Sequence, residues 1–191
     1  MVGTSPSPRH EVFKYRRSTP ADALPLSTLA TQVFLDTYAT HGINDALARE
    51  VATVYSAEVF ERRLRDAAVE LWTVEAGGYT VGFVDIAFAT SCPVPGVRGA
   101  EVFRLYVQRP FLRRGLGRAL IAKAEASARA RGLDAIWLTA WAGNHGALAF
   151  YQSQGFRDIG TTEYVINGVG YENCVLCKPM LHDGTQGEWC K

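Results

Sequence analysis

Two short stretches carry residue types that can do chemistry. The first is Arg113-Arg-Gly-Leu-Gly-Arg118, whose glycines allow close backbone approach and whose arginines supply positive charge. At the start of a helix, its free N–H groups and the helix dipole would hold an anion such as a pyrophosphate. A tight strand-to-helix turn accounts for the same glycines. The second is Asn144-His-Gly-Ala-Leu-Ala-Phe-Tyr-Gln-Ser-Gln-Gly-Phe156, in which Asn144 caps a helix presenting Ala147, Leu148 and Tyr151 on one side and Gly155 ends it. A phenol at Tyr151 can donate a proton, and an amphipathic core tyrosine has the same pattern. The glycine pair is not a Walker loop, since no Gly-Lys-Ser/Thr follows. Nor is it the dinucleotide fingerprint, since Leu120 stands where the third glycine belongs.

Both stretches need a strand before them and a helix to begin on. Residues 11–17 alternate Val12, Phe13 and Tyr15 with Lys14, Arg16 and Arg17 and predict a strand. Thr19, Pro20 and Asp22 resemble a capping box and open a helix with Leu26, Leu29, Ala30, Val33, Phe34 and Tyr38 at helical spacing. Pro25 delays or kinks its first turn, and His41-Gly42 ends it. Asn44 and Ser56 cap helices at about 45–54 and 57–66. Strands follow at 69–75 and 79–90, joined at Gly77-Gly78, then a Pro/Gly loop at 91–99 and a strand at 100–107. An Ala-rich helix at 113–131, a strand at 135–140 and a helix at 144–153 lead to strands at 156–166 and 170–178, joined at Asn167-Gly168. Strands meeting helices alternately after an opening hairpin predict an α+β or α/β sandwich with a mixed sheet. The expected organisation is one domain at 11–180, a flexible N-terminal tail at 1–10 and a C-terminal tail at 181–191.

With 191 residues, 48% hydrophobic and a net charge of +1, the chain is not of disordered composition, and its charge gives no warrant for nucleic-acid binding. No apolar run reaches membrane-spanning length, and the Ser/Pro-rich start lacks the apolar stretch of a secretory signal, so a cytoplasmic protein without membrane association is expected. Cys174 and Cys177 have CxxC spacing within the β-type run Tyr171-Glu-Asn-Cys-Val-Leu-Cys177. Residues three apart on a strand face opposite ways, which fits two small packed thiols better than a redox or metal pair. Metal or redox binding through Cys174, Cys177, His182 and Cys190 has only spacing in its favour, and no metal is expected. Asp85 lies amid the apolar run 81–88. An acid there is either functional or on an exposed strand face.

The order and spacing of the two stretches resemble the GNAT N-acetyltransferase superfamily over about residues 12–178. Leu105-Tyr-Val107 followed by Arg114-Gly-Leu-Gly117 resembles its acetyl-CoA cradle, and Asn144-x-x-Ala147-x-x-Phe150-Tyr151-x-x-x-Gly155-Phe156 resembles its second motif. One departure is Leu112, which stands where the family usually has Gln or Arg, three residues before the first glycine. More loosely, Phe34-Leu-Asp-Thr-Tyr38 with Ala147-Leu-Ala-Phe-Tyr151 resembles the bacterial polyamine-type branch. The resemblance implies a twisted, mostly antiparallel mixed sheet of about seven strands, flanked by helices and splayed into a V between the strands at 100–107 and 135–140. It implies acetyl-CoA held by Leu105, Tyr106, Val107, Leu112, Arg113, Arg114, Gly115, Leu116, Gly117, Arg118, Asn144, Ala147 and Tyr151. Tyr151 matches the family's general acid, and Glu101 the strand position of a base in histone-type members; a salt-bridging surface glutamate fits Glu101 as well. Glu101 alternates with Arg104 and Tyr106, so a β-bulge is needed to bring it to the active-site face. The acceptor is expected to be a primary amine of a small, polyamine-like molecule or of a protein, met by Asp36, Tyr38, His41, Asp85 and Trp141. A non-catalytic CoA-binding module of the same fold is the alternative, and the implied assembly is a monomer or homodimer.

Overall fold

In the computed structural model, residues 12–166 and 168–180 are described. The expected tails, Glu11 of the first strand, Asn167 of the last hairpin, and His182 and Cys190 lie outside these residues. The strands are β1 (Phe13–Arg17), β2 (Val69–Ala76), β3 (Tyr79–Ala87), β4 (Gly99–Val107), β5 (Ala135–Trp141), β6 (Arg157–Ile166) and β7 (Val169–Pro179). The helices are α1 (Ala23–Tyr38), α2 (Asp45–Val54), α3 (Ala57–Arg65), α4 (Leu116–Arg129) and α5 (His145–Ser153). The strands form one sheet in the order β1-β2-β3-β4-β5-β7-β6, antiparallel throughout except for β4 beside β5.

Local sequence explains most element boundaries. Thr19 N–H donates to Asp22 Oδ2 at 2.7 Å, closing a 3-10 turn from which α1 starts at Ala23, so Pro25 falls in the first turn, where its missing N–H removes no helical bond. The side chains of Asn44 and Ser56 accept from Leu47 and Val59 N–H and cap α2 and α3. The helix expected at 113–131 is shorter at both ends. Arg113 and Gly115 hold left-handed backbone, φ +64° and +80°, which no helix admits, so α4 begins at Leu116. The strand expected at 79–90 stops at Ala87, short of the Pro/Gly loop.

Alternation on the strands feeds two apolar layers. Phe34, Phe60, Leu71 and Phe83 pack beneath α1, α2 and α3 on one face. Val84, Ile86, Val102, Leu120, Ile121, Leu138 and Leu176 pack against α4 and α5 on the other. Cys174 belongs to the α4 side, and Cys177 to a small cluster on the opposite face with Trp137 and Ala135, so the two thiols diverge as a strand dictates. Two irregularities then shape the sheet. Parallel pairing of β4 and β5 covers only Gly99↔Ala135, Ala100↔Ile136 and Glu101↔Trp137, after which the strands separate into a V. The β3–β4 register passes from Asp85↔Arg104 to Ile86↔Val102, leaving Phe103 as an extra, exposed residue. This bulge resets the alternation, so Arg104 turns to the α1–α3 face with Tyr106 instead of following Val102 toward α4.

Candidate active site

On the α4 side of the V, backbone rather than side chains supplies the polar groups. Gly115 precedes α4 in a conformation costly to any residue with a Cβ, and a Cβ there would meet nothing within 4 Å, so the approach is open. The first intrahelical bond is donated by Ala119 to Gly115 O at 3.1 Å, which leaves the N–H groups of Leu116, Gly117 and Arg118 at the helix start without α-helical partners. Leu112, Arg113, Arg114 and Arg118 are exposed around it, and the Arg114 guanidinium lies 5.2 Å from the Phe111 ring centre. Gly117 has a second task, because a Cβ there would come 2.9 Å from the Phe150 ring. Phe150 thus locks α5 onto the first turn of α4.

Asn144 Oδ1 accepts from Ala147 N–H at 3.1 Å, so this side chain caps α5. Ala147 packs against the α4-side core. Tyr151 is buried, its ring 5.3 Å from Phe150 and 5.5 Å from Phe156. Burial pushes its phenol well above the ordinary range, with the nearby Tyr106 adding to the shift, so it is protonated at neutral pH. Leu105 and Val107 turn toward the α4 layer and Tyr106 toward the other. Beyond Glu101, β4 has β5 as a partner no longer.

Side chains build the opposite face. Glu101 is buried, and burial raises its carboxyl pKa, opposed by a Thr90 hydrogen bond and by Arg63 and Arg104. Asp85 departs from expectation. It is fully buried, not on an exposed strand face, and it is not an open anchor for a substrate cation. Arg63 donates to both its oxygens at 2.7 Å, and Arg104 donates to Oδ2 at 3.1 Å. A carboxylate can be buried this deeply only when so paired. Tyr55 and Tyr106 hydroxyls meet at 3.2 Å. Tyr38 of α1 lies 5.6 Å from Trp141 and 6.4 Å from Tyr171, and burial pushes its phenol up to about 12. Asp36 and His41 are exposed at the end of α1, the His41 ring 3.0 Å from Thr40 Oγ1.

Sequence reasoning missed several groups on this face. Tyr164 on β6 hydrogen-bonds to Glu50 on α2, Tyr171 and Asn173 lie on β7, and Tyr55 ends α2. They come from three separate elements, α2, β6 and β7, and only the alternate placement of Tyr171 and Asn173 on one strand hinted at a shared face. Among the described residues, no three His, Cys, Asp or Glu side chains converge as metal ligands, and no helix is long and apolar enough to cross a membrane.

Residues 37–156 match the model of the acetyltransferase (GNAT) family. The chain belongs to this family. This acetyltransferase is 23% identical over 155 residues to an uncharacterized N-acetyltransferase in the pepI 3' region of Lactobacillus delbrueckii subsp. lactis, covering 80% of this chain and 89% of that one. A 78-residue stretch, 40% of this chain and 53% of the other, is 33% identical to the [ribosomal protein bS18]-alanine N-acetyltransferase of Salmonella typhimurium. In fold, this acetyltransferase resembles the crystal structure of PaiA N-acetyltransferase from Thermoplasma acidophilum in complex with coenzyme A. The TM-score is 0.73 at 18% identity, over 88% of this chain and 99% of that one.

Proposed function

We propose that this acetyltransferase transfers the acetyl group of acetyl-CoA to the nitrogen of an amine. The observation that carries the proposal is the V that opens after Glu101 and Trp137, beside the uncapped N–H groups of α4. A pyrophosphate fits those N–H groups, with the arginines around them as counter-charges. The unpaired edge of β4 at Leu105–Val107 offers strand-like hydrogen bonds to the pantetheine arm. The PaiA relative holds coenzyme A and the Salmonella relative is named for an alanine acceptor, and both support the reading.

Tyr151, neutral and buried beside the cradle, serves as the acid that protonates the departing thiolate. Glu101 takes the proton from the attacking amine, its raised pKa bringing it closer to the working pH of a base. The acceptor, a small amine or a protein amine, is met on the other face by Tyr38 and Trp141, with Asp36 and His41 at the rim. The reaction belongs in the cytoplasm, where Cys92, Cys174 and Cys177 stay as the thiols they are in the structure.

Coenzyme A should raise the melting temperature and give heat in titration calorimetry, and an amine panel should show acetyl-CoA consumption. No thermal shift and no heat at millimolar coenzyme A would remove the proposal. Glu101→Gln should lower kcat by about a hundredfold and flatten the limb of the pH profile that rises as Glu101 loses its proton. A pH profile identical to wild type would place the base elsewhere.

A further inference from the structure

We propose that Asn173 reads a second N–H donor on the acceptor, beyond the amine that receives the acetyl group; this rests on the amine-acetyltransferase reading above. Asn173 is 7% exposed, and among the described residues its Oδ1 is a buried oxygen with no hydrogen-bond partner. Leaving such an acceptor unmatched is unfavourable, and an external donor is its natural complement.

The strand register says where that oxygen sits. Asn173 stands directly opposite Trp141 on β5 and Thr162 on β6, and opposed residues of antiparallel strands share a face. Tyr171, two residues along β7, shares it too. This face lies beneath α1, because the Tyr38 ring contacts both Trp141 and Tyr171. Tyr164, paired with Tyr171 across the β6–β7 hairpin, is bonded to Glu50 of α2. The rings of Trp141, Tyr171 and Tyr38 lie on the same face as the orphaned oxygen, and the other unpartnered buried polar atom among the described residues, Trp137 Nε1, belongs to the same face of β5 four residues away. The nearest arginine on the acceptor face of β4, Arg104, is committed to Asp85. A carbonyl oxygen bordered by ring faces complements an N–H group and favours one on a cation.

Two sources offer that chemistry: the second ammonium of a diamine, and the amide N–H that follows the α-amine of a peptide. The test measures KM for an alkyl monoamine, a diamine and a dipeptide amide with wild type and Asn173→Leu, alongside the coenzyme A thermal shift. Wild type should favour one of the two-donor acceptors, and Asn173→Leu should collapse its KM advantage over the monoamine about tenfold or more. The coenzyme A shift should persist. The leucine variant should melt no lower than wild type, because it removes a buried unmatched acceptor at similar volume; Asn173→Ala gives the same comparison if leucine does not fold. Asn173→Asp identifies the source: a new charge pair should lift the advantage of the diamine above the wild-type value, whereas an amide N–H, served by either oxygen, should keep about the wild-type advantage. A wild type blind to the second donor, or a KM change equal for all three acceptors, overturns the inference and leaves acetyl transfer standing. Absence of transfer to any amine by wild type overturns both.

Discussion

The two faces of the V are built by different means. The α4 face offers backbone N–H groups from one continuous turn, 113–118, and the α1 face offers side chains from α1, α2, α3, β4, β5 and the β6–β7 hairpin. A backbone site tolerates change around it, because its donors persist whatever the neighbouring side chains are. The expected Gln or Arg at position 112 is an exposed leucine here, and the helix start is intact. A side-chain site has no such tolerance, and each of its members can be altered singly.

The sharpest way to break this contrast is Gly117→Val. Coenzyme A binding, and the stabilisation of about 2.7 kcal/mol it gives at a hundredfold excess over Kd, should vanish. The added side chain collides with Phe150 as well as with the ligand's approach. The double variant Gly117→Val, Phe150→Ala separates the two effects, and binding regained in it would mean the glycine exists to seat α5 and not to admit a ligand. Tyr151→Phe keeps the ring packing and deletes only the hydroxyl, so turnover should fall by about 10² to 10⁴ with coenzyme A affinity retained. Wild-type turnover would retire the phenol as the acid.

Asp85→Asn tests the other face. With Arg104 almost fully buried, loss of its partner should cost about 3–5 kcal/mol, read by urea denaturation, without a selective rise in KM for cationic amines. A stable variant with a raised KM would make Asp85 a substrate anchor after all. Smallest is Asp36→Asn, on the exposed end of α1. If the rim attracts cations, KM for a diamine should rise by no more than about fivefold, and the rise should disappear at high ionic strength. A KM insensitive to salt in both proteins would assign acceptor capture to the aromatic rings alone.

The same contrast explains what could be read in advance. The turn at 113–118 and the α5 segment are each contiguous, so they stood out as local patterns to which the family resemblance, and not spacing, gave a role, while periodicity plus caps such as Asn44 and Ser56 located most elements within a few residues. The need for a bulge in β4 was legible from the alternation of Glu101, Arg104 and Tyr106, although the residue it would extrude was not. Asp85 was read as functional or exposed because its partners, Arg63 and Arg104, lie 22 and 19 positions away in sequence. Glu50 and Tyr164 are 114 positions apart, and no local signal joins them. Long-range pairing made the α1 face, and single-sequence patterns carry little of it.

The short β4–β5 ladder has a further consequence. Three residue pairs hold the two halves of the sheet together, and beyond them β4 has an unmatched, half-buried strand edge that faces the V. Strand edges of this kind are templates for other extended chains, and proteins commonly cap or charge them. Here the cosubstrate would do the capping: while bound, it occupies the row that a stray peptide or a second misfolded copy would otherwise zip onto. Cellular acetyl-CoA would then act as a solubility factor for its own enzyme, and starvation for it would leave the protein more prone to aggregate as well as idle.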